Sequence, residues 1–121
     1  MRVLLADDES KVRSALRLLL EQEPGLSIVG EATKGEDLLA QVETTRPDLA
    51  LLDCELPGPQ TADLLPALRS RCPGLLVIAL SGRPETRRAA LAAGADAFVS
   101  KGDSPERLLA AVGDCRRGRH K

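Results

Sequence analysis

The sequence predicts an α/β fold in which five parallel strands, doubly wound by helices, form a sheet of order 2-1-3-4-5. Short apolar runs alternate five times with longer stretches whose apolar residues repeat at helical spacing. The 121 residues suffice for one such domain and leave no room for a second core. Right-handed crossovers, with two helices on one face and three on the other, favour this strand order.

The five predicted strands are short runs of mostly apolar residues. They lie at residues 3–6, 26–29, 49–52, 75–80 and 97–100. Runs of this kind are typical of strands that are buried on both faces, so helices are expected to cover each side of the sheet.

The five predicted helices each have an apolar face. In the first, apolar residues fall at i, i+3, i+4, i+7 and i+8, namely Val12, Ala15, Leu16, Leu19 and Leu20. The later faces are Leu38, Leu39 and Val42; Leu64, Leu65 and Leu68; Ala89, Ala90 and Ala93; and Leu108, Leu109 and Val112. The small alanine face would bind the fourth helix loosely to the sheet, which suits a mobile element.

Residues that begin helices stand where this alternation requires them. Ser104 is placed to cap the fifth helix with Pro105 at its first position, and Pro84 is placed to open the fourth. With Thr61 as the cap of the third helix, Pro66 falls just past its first turn, and a local distortion is expected there. The result is a flavodoxin-like fold, in which ligands bind beyond the carboxyl ends of the strands.

Charge is distributed unevenly along the chain. The last six residues hold four of the 17 basic groups, so residues 1–115 carry 13 basic against 18 acidic groups, a net charge of −5. This acidic body argues against direct nucleic-acid binding by the domain, because phosphate contacts need a basic surface. We expect one domain over residues 1–115, with 116–121 as a basic tail or the start of a linker.

Composition excludes further classes of protein. One Phe and no Tyr or Trp cannot build a platform that stacks single-stranded bases. No apolar run approaches the ~20 residues that cross a bilayer, and the acidic residues at 7–9 argue against a signal peptide. Three cysteines without metal-ligand spacing, Cys54, Cys72 and Cys115, fit reduced thiols. The expected location is the cytoplasm, away from membranes.

Polar side chains stand where four of the five predicted strands end. Asp7 and Asp8 follow the first strand, Asp53 the third, Ser81 the fourth and Lys101 the fifth. Each has an ordinary explanation by itself, since Asp caps helices and forms turns, and a Ser or Lys in a loop is usually solvated. Their joint placement at one edge of the sheet favours a functional site.

Carboxylates that lie close together repel one another and need a cation. Oxygen ligands with open positions suit Mg²⁺, or Mn²⁺. Without the ion, at least one carboxyl group is expected to have a raised pKa because of like-charge repulsion. The Lys101 ammonium and the Ser81 hydroxyl suit the oxygens of a phosphoryl group.

Four segments of the chain carry a resemblance to a known family. They are VLLADDE at 3–9, LALLDCELPG at 49–58, VIALSG at 77–82 and AFVSK at 97–101. They resemble the receiver domain of bacterial two-component response regulators, and the resemblance extends to about residue 115. The stretch GADAFVSKGDSPERLLAAV looks most like receivers that are joined to a helix-turn-helix effector of the NarL/LuxR kind.

The resemblance implies a role for each matching residue. Asp53 would accept a phosphoryl group from a sensor histidine kinase in a Mg²⁺-dependent reaction. The implied metal ligands are Asp8, Asp53 and the backbone carbonyl of Glu55, with Asp7 acting largely through water. The implied phosphoryl-binding groups are Ser81, Gly82 and Lys101. The domain would assist its own phosphorylation and dephosphorylation without being a turnover enzyme.

The resemblance also implies a conformational switch. Ser81 would move inward to bond the phosphoryl group, and Phe98 would swing into the vacated space. Phe98 is equally the largest side chain available to fill the core. The fourth helix, fifth strand and fifth helix would form the responding surface, which would control transcription through an effector domain beyond this chain, with homodimerisation on phosphorylation as one outcome.

Three features depart from the family pattern. Gly102 follows Lys101 where many members have a proline with a cis bond; a non-proline cis bond costs ~2.5–4 kcal/mol, which favours the trans form. Glu55 and Arg83 flank the implied entrance of the site, either as solvated charges or as a gate that controls the attack of water on the phosphoryl group. Pro59 adds a stiff residue of unknown effect.

Three other functions fit parts of the pattern. A receiver-like interaction module that is never phosphorylated would keep the fold and lose the metal site, whereas this chain has every site residue. A flavodoxin-like flavin carrier needs a Ser/Thr/Gly-rich loop after the first strand and aromatic residues around the ring, which ADDES and one Phe do not supply. A metal-dependent phosphatase has Asp-x-Asp after its first strand, whereas Asp53-Cys54-Glu55 follows the third.

Overall fold

The computed structural model of the protein describes residues 1–119. Within them, five parallel strands form one sheet of order 2-1-3-4-5, which confirms the predicted fold class and strand order. The strands are β1 (Arg2–Ala6), β2 (Ser27–Ala32), β3 (Leu49–Asp53), β4 (Leu76–Ser81) and β5 (Ala97–Ser100). The helices are α1 (Ser10–Glu21), α2 (Gly35–Thr45), α3 (Thr61–Arg71), α4 (Arg87–Ala92) and α5 (Pro105–Arg119).

The sheet has one apolar core on each face. On one face, alternate strand residues such as Leu4, Leu52 and Val77 pack against α2, α3 and α4. On the other face, the intervening residues such as Leu5 and Leu51 pack against α1 and α5. Two helices therefore oppose three, as predicted. Full burial of a side chain of this size is worth about 1.5–3 kcal/mol, so these layers hold the strand ends in place.

Strand β3 lies at the centre of the sheet, and all five of its residues are buried. It pairs with β1 through Val3 to Ala6 and with β4 through Leu76 to Leu80. Because the three strands run parallel, the residues that follow Ala6, Leu52 and Leu80 meet at one edge. The burial of this strand consequently carries Asp53 into the interior, where it is 2% exposed.

The predicted carboxyl end of β2 was wrong by three residues, whereas the other strand boundaries agree with the prediction to within one residue. β2 continues through Gly30 and Glu31 to Ala32, beyond the predicted end at residue 29. It is an edge strand and is half-buried, so its outer end has no continuous apolar run that would reveal it. The structure also shows a register shift between Val3 and Leu4 where β1 pairs with β2.

The helix starts follow the predicted signals in part. Thr61 is the first residue of α3 rather than its cap, which is Gln60, and the helix continues unbroken past Pro66. A 3-10 turn over Pro84–Thr86 precedes α4, so Pro84 opens this tighter turn rather than the α-helix itself. α5 begins at Pro105, as predicted.

Some apolar residues of the helices are more exposed to solvent than their spacing in the sequence suggests. In α1, Leu20 is buried, whereas Ala15 is exposed and Leu18 is 65% exposed. α4 has Ala90 as its buried residue, in agreement with a thin contact face. None of the helices within residues 1–119 has the length and apolar character to span a bilayer.

α5 continues through Arg119, four residues past the predicted domain boundary at 115. Arg116 donates a hydrogen bond to the Pro24 carbonyl, at 3.1 Å, and so touches the loop after α1. The last two residues of the predicted tail, 120 and 121, lie outside the described residues.

Candidate functional site

Three carboxylates meet at the carboxyl edge of the sheet. Asp7 and Asp8 follow β1, and Asp53 ends the neighbouring β3. One carboxylate oxygen from each lies within 4.8 Å of the others. Asp7 is 0% exposed and Asp53 2%, whereas Asp8 is open to solvent. The structure thus brings together the acidic residues that the sequence placed at these strand ends.

Lys101 supplies the positive charge that faces this cluster. Its Nζ lies 2.8 Å from Oδ2 of Asp7 and 3.3 Å from Oδ2 of Asp53. A backbone hydrogen bond of 2.8 Å from Lys101 N–H to the Ser81 carbonyl holds the start of the loop after β5 against β4. Burial by itself lowers the pKa of the Lys101 ammonium, but its contacts with Asp7 and Asp53 outweigh burial and raise the pKa. Lys101 is therefore charged at neutral pH.

Asp53 has a raised pKa, chiefly because its burial disfavours the charged form. The Glu55 N–H donates to Asp53 Oδ1 at 3.0 Å and opposes this shift. The negative charge of Asp7 adds to the shift, and Lys101 reduces it. The expectation of a raised carboxyl pKa is met, but like-charge repulsion is secondary to burial as its cause.

The oxygen set fits a divalent cation. Oδ1 of Asp7 accepts a hydrogen bond from the Glu9 N–H at 2.9 Å. Apart from the ion pair with Lys101, the buried Oδ2 of Asp7 has no hydrogen-bond partner among residues 1–119. Among residues 1–119, these three carboxylates face the ammonium of Lys101, which leaves an excess of negative charge on hard oxygen ligands. Mg²⁺ binds such oxygen sets and keeps several waters.

Ser81 ends β4 and is fully buried. Its hydroxyl donates to Oε1 of Glu55 at 2.8 Å and accepts a hydrogen bond from the Arg83 N–H at 3.0 Å. Within residues 1–119, no ion pair joins the side chains of Glu55 and Arg83. Glu55, which was predicted to flank the entrance, therefore contacts the hydroxyl of Ser81 rather than its hypothesised gate partner, Arg83.

The other residues predicted for the site differ in their burial, and the peptide bond after Lys101 has the expected form. Gly82 is exposed, and a Cβ added there would meet no atom within 4 Å. Phe98 is 9% exposed and belongs to the core under α2, α3 and α4, in agreement with a core-filling role. No cis peptide bond occurs in residues 1–119, so the Lys101–Gly102 bond is trans.

Two residues with contacts at the site, Glu9 and Arg13, were not predicted from the sequence. Glu9, which precedes α1, places Oε1 3.5 Å from the Lys101 ammonium. Arg13 on α1 donates to the backbone carbonyl of Asp7 at 2.7 Å and pairs with Glu31 of β2 at 3.0 Å. The available signal was the basic pair Arg13 and Arg17, four residues apart on one helix face, opposite a lone acid in the second strand.

Comparisons with known proteins agree on the family. The family model described as the response regulator receiver domain matches residues 3–113. The chain is 34% identical over 118 residues to the nitrate/nitrite response regulator protein NarL of Escherichia coli K12, covering 96% of this chain and 55% of that protein. It is 37% identical over 121 residues to the DNA-binding transcriptional activator DevR/DosR of Mycobacterium tuberculosis, covering 98% and 56%. The chain thus spans about half the length of these relatives.

Solved structures show the same fold. A two-component response regulator of the LuxR family from Aurantimonas sp. SI85-9A1 superimposes with a TM-score of 0.89 at 28% identity, over 97% of this chain and 85% of that one. The isolated REC domain of RcsB from Salmonella enterica serovar Typhimurium, in the presence of the phosphomimetic BeF3⁻, gives a TM-score of 0.89 at 25% identity, over 98% and 89%.

Proposed function

Because this chain belongs to the response regulator receiver domain family, we propose that its Asp53 accepts a phosphoryl group from a sensor histidine kinase in a Mg²⁺-dependent reaction. One observation carries the proposal. Asp7, Asp8 and Asp53 gather at the carboxyl edge of the sheet with the Lys101 ammonium 2.8 Å from Asp7 and 3.3 Å from Asp53. This is the arrangement that a phosphorylatable carboxylate needs.

The chemistry is nucleophilic attack on phosphorus. An ionised oxygen of Asp53 forms the new P–O bond as the P–N bond of a phosphohistidine breaks, and the departing imidazole keeps the electron pair and takes up a proton. Burial raises the pKa of Asp53, so the carboxylate must be stabilised as an anion before it can attack. Lys101 and a bound cation both favour the ionised form.

The residues that would hold the ion are Asp8, Asp53 and the Glu55 carbonyl, with Asp7 acting through water. When bound, Mg²⁺ neutralises the excess charge of the cluster and of the phosphoryl oxygens. The Lys101 ammonium lies closer to Asp7, at 2.8 Å, than to Asp53, at 3.3 Å, which supports an indirect part for Asp7. Lys101 would also bind a phosphoryl oxygen, together with Ser81 and the N–H of Gly82.

The switch follows from the same groups. For Ser81 to bond a phosphoryl oxygen, its hydrogen bond to Glu55 must break. Phe98 would then adjust behind the displaced hydroxyl, and α4, β5 and α5 would present a changed surface. The short α4, with Ala90 as its buried residue, suits a mobile element. We propose that this surface controls transcription through an effector outside these residues, with homodimerisation on phosphorylation, and that the domain is not a turnover enzyme.

Intact mass spectrometry after incubation with acetyl phosphate and Mg²⁺ tests the proposal. The wild-type chain should gain the mass of one phosphoryl group, and the nearly isosteric Asp53→Asn should not. Omission of Mg²⁺ should slow the gain strongly. If the wild type gains no mass and also fails to bind beryllofluoride in an NMR titration, the phosphoacceptor proposal is wrong and an interaction module that is never phosphorylated is favoured.

A further inference from the structure

Arg13 connects α1 to the loop that carries the acidic cluster. Its Nη1 donates to the backbone carbonyl oxygen of Asp7 at 2.7 Å, and its Nε donates to Oε1 of Glu31 at 3.0 Å. The Arg13 side chain is 17% exposed and that of Glu31 is 32% exposed, so both contacts are partly shielded from solvent. The Asp7 carbonyl belongs to the peptide bond between Asp7 and Asp8, and Arg13 therefore holds the unit that links two of the three carboxylates.

The two acidic residues of this loop are held very differently. Asp7 is fixed through its N–H to the Ala32 carbonyl at 3.0 Å, through Oδ1 to the Glu9 N–H, and through Oδ2 to Lys101. Asp8 is exposed, and within residues 1–119 its side chain makes no hydrogen bond or ion pair. Within residues 1–119, Asp8 is therefore held through its backbone rather than its side chain, and the peptide bond on its N-terminal side is held by Arg13.

We propose that Arg13 is a positioning residue for the metal site, which holds the Asp7–Asp8 peptide so that the Asp8 carboxylate faces Asp53. The inference rests on the proposed function, since it concerns the ion that Asp8 and Asp53 would share. Glu31, which lies on β2, holds the Arg13 guanidinium from the side opposite the Asp7 carbonyl. Partners that orient a metal ligand without touching the metal are a common feature of metal sites.

The charge of Arg13 acts against this role. A guanidinium near the cluster repels a cation, so a substitution that removes the charge would strengthen Mg²⁺ binding by Coulomb's law while it weakens positioning. Arg13→Lys separates the two effects, because lysine keeps the charge but has no planar group that can reach Glu31 and the Asp7 carbonyl together.

Arg17 provides a matched control on the same helix. Its Nη2 lies 2.7 Å from Oε2 of Glu31, and its Nη1 lies 2.8 Å from Glu21, but within residues 1–119 it makes no hydrogen bond to Asp7. Arg13→Lys and Arg17→Lys therefore both disturb an ion pair with Glu31. Of the two, Arg13→Lys alone releases the Asp7 carbonyl.

The test is an NMR titration of the chain with Mg²⁺. Arg13→Lys should bind Mg²⁺ about 10-fold more weakly than wild type, the lower end for loss of an orienting partner, while Arg17→Lys keeps the wild-type affinity. In the metal-free protein, the amide nitrogen shift of Asp8 should move in Arg13→Lys and not in Arg17→Lys, because this nitrogen is conjugated with the Asp7 carbonyl. Phosphorylation by acetyl phosphate should need more Mg²⁺ for half-maximal rate, with the rate at saturating Mg²⁺ little changed.

Two outcomes would overturn the inference: a folded Arg13→Lys with wild-type Mg²⁺ affinity, or an equal loss of affinity in Arg17→Lys. Should Arg13→Lys fail to fold, Glu31→Gln tests the same contact, because it weakens the hold of Glu31 on the Arg13 guanidinium. The Asp8 amide nitrogen of Glu31→Gln should then shift from its wild-type position. An unchanged Asp8 shift in that variant would also overturn it. If the wild-type chain bound no Mg²⁺, the proposed function itself would fail. That result is distinguishable from a failure of the Arg13 inference, because it is seen in the wild type before any variant is compared.

Discussion

Ser81 and Glu55 are joined by a hydrogen bond of 2.8 Å, in which the Ser81 hydroxyl donates to Oε1 of the Glu55 carboxylate. A hydroxyl has one proton, so Ser81 cannot donate to a phosphoryl oxygen on Asp53 while it donates to Glu55. In the proposed function, Glu55 and the phosphoryl group would therefore compete for the same donor. This competition relates the hypothesised entrance residue to the switch more directly than a Glu55–Arg83 gate would.

Glu55→Ala is accordingly expected to tighten the binding of beryllofluoride in the presence of Mg²⁺. A net hydrogen-bond free energy of about 1 kcal/mol corresponds to about a fivefold change in affinity. An NMR titration measures it. Glu55→Gln removes the charge and keeps an oxygen acceptor, so it should give a smaller gain if the hydrogen bond is responsible. In a Ser81→Ala background, Glu55→Ala should bring little further gain; an equal gain there would show that charge alone matters.

A Glu55–Arg83 gate can be tested separately from the Ser81–Glu55 hydrogen bond by measuring dephosphorylation rates. If Glu55 and Arg83 control the attack of water, Glu55→Ala and Arg83→Ala should each change the rate at which phosphorylated chain loses its phosphoryl group, followed by intact mass over time. Among the described residues, 1–119, no ion pair joins Glu55 to Arg83, so the two effects are expected to be independent. Unchanged rates in both variants would remove the gate.

Asp53→Asn is expected to raise the melting temperature of the metal-free protein at pH 7 by a few degrees. The folded-state pKa of Asp53 is raised by burial, so above that pKa the folded chain holds a charge that the unfolded chain solvates better. The advantage of Asn should shrink as the pH falls through the raised pKa, because the wild-type carboxyl then becomes protonated. Thermal unfolding at several pH values measures this. The exposed Asp63→Asn is the control and should show no such gain.

Lys101→Gln is expected to destabilise the metal-free protein by about 3 kcal/mol, the lower end for breaking a buried pair, since Lys101 keeps a 20% exposed side chain. The loss leaves Asp7 and Asp53 buried without their cation. Mg²⁺ should then stabilise this variant more than it stabilises wild type, because the ion no longer competes with an ammonium. Urea unfolding with and without Mg²⁺ checks both statements, with the exposed Lys11→Gln as control. Equal stabilisation by Mg²⁺ in both proteins would contradict the competition.

Asp96→Ala should lower stability without changing the site. Asp96 accepts the Val77 N–H at 2.8 Å and pairs with Arg69 at 2.7 Å, and both contacts lie at the amino ends of β4 and β5. The loss leaves a partly buried N–H unpaired, which costs about 1–3 kcal/mol. Urea unfolding should show this cost, while the Mg²⁺ dissociation constant stays at the wild-type value. A weaker Mg²⁺ affinity would mean that the two ends of the sheet are coupled.

The order of the strands and the residues at their ends follow from local patterns. Leu49 to Leu52 form an apolar run that belongs in the middle of a sheet, and the acid after it must lie at the carboxyl edge. The same reasoning places Asp7, Ser81 and Lys101. The spacing of apolar residues shows which side chains must be buried. The α/β fold buries them by covering both faces of the sheet with helices. The outer end of β2 escaped prediction because Gly30 and Glu31, at a half-buried edge, carry no such pattern.

The amino-acid sequence by itself determined the class of fold, the acidic edge and the family of this protein. Only the tertiary structure decided which atoms are partners there: the Ser81 hydroxyl donates a hydrogen bond to Glu55, 26 positions away, and the Arg13 guanidinium lies between the Asp7 carbonyl and Glu31. The physical reason is one of range and direction. Burial depends on the apolar character of a segment, which can be read from that segment alone. A hydrogen bond needs two groups within about 3 Å of each other and well aligned. That geometry arises only when separate loops and helices have been packed against the sheet.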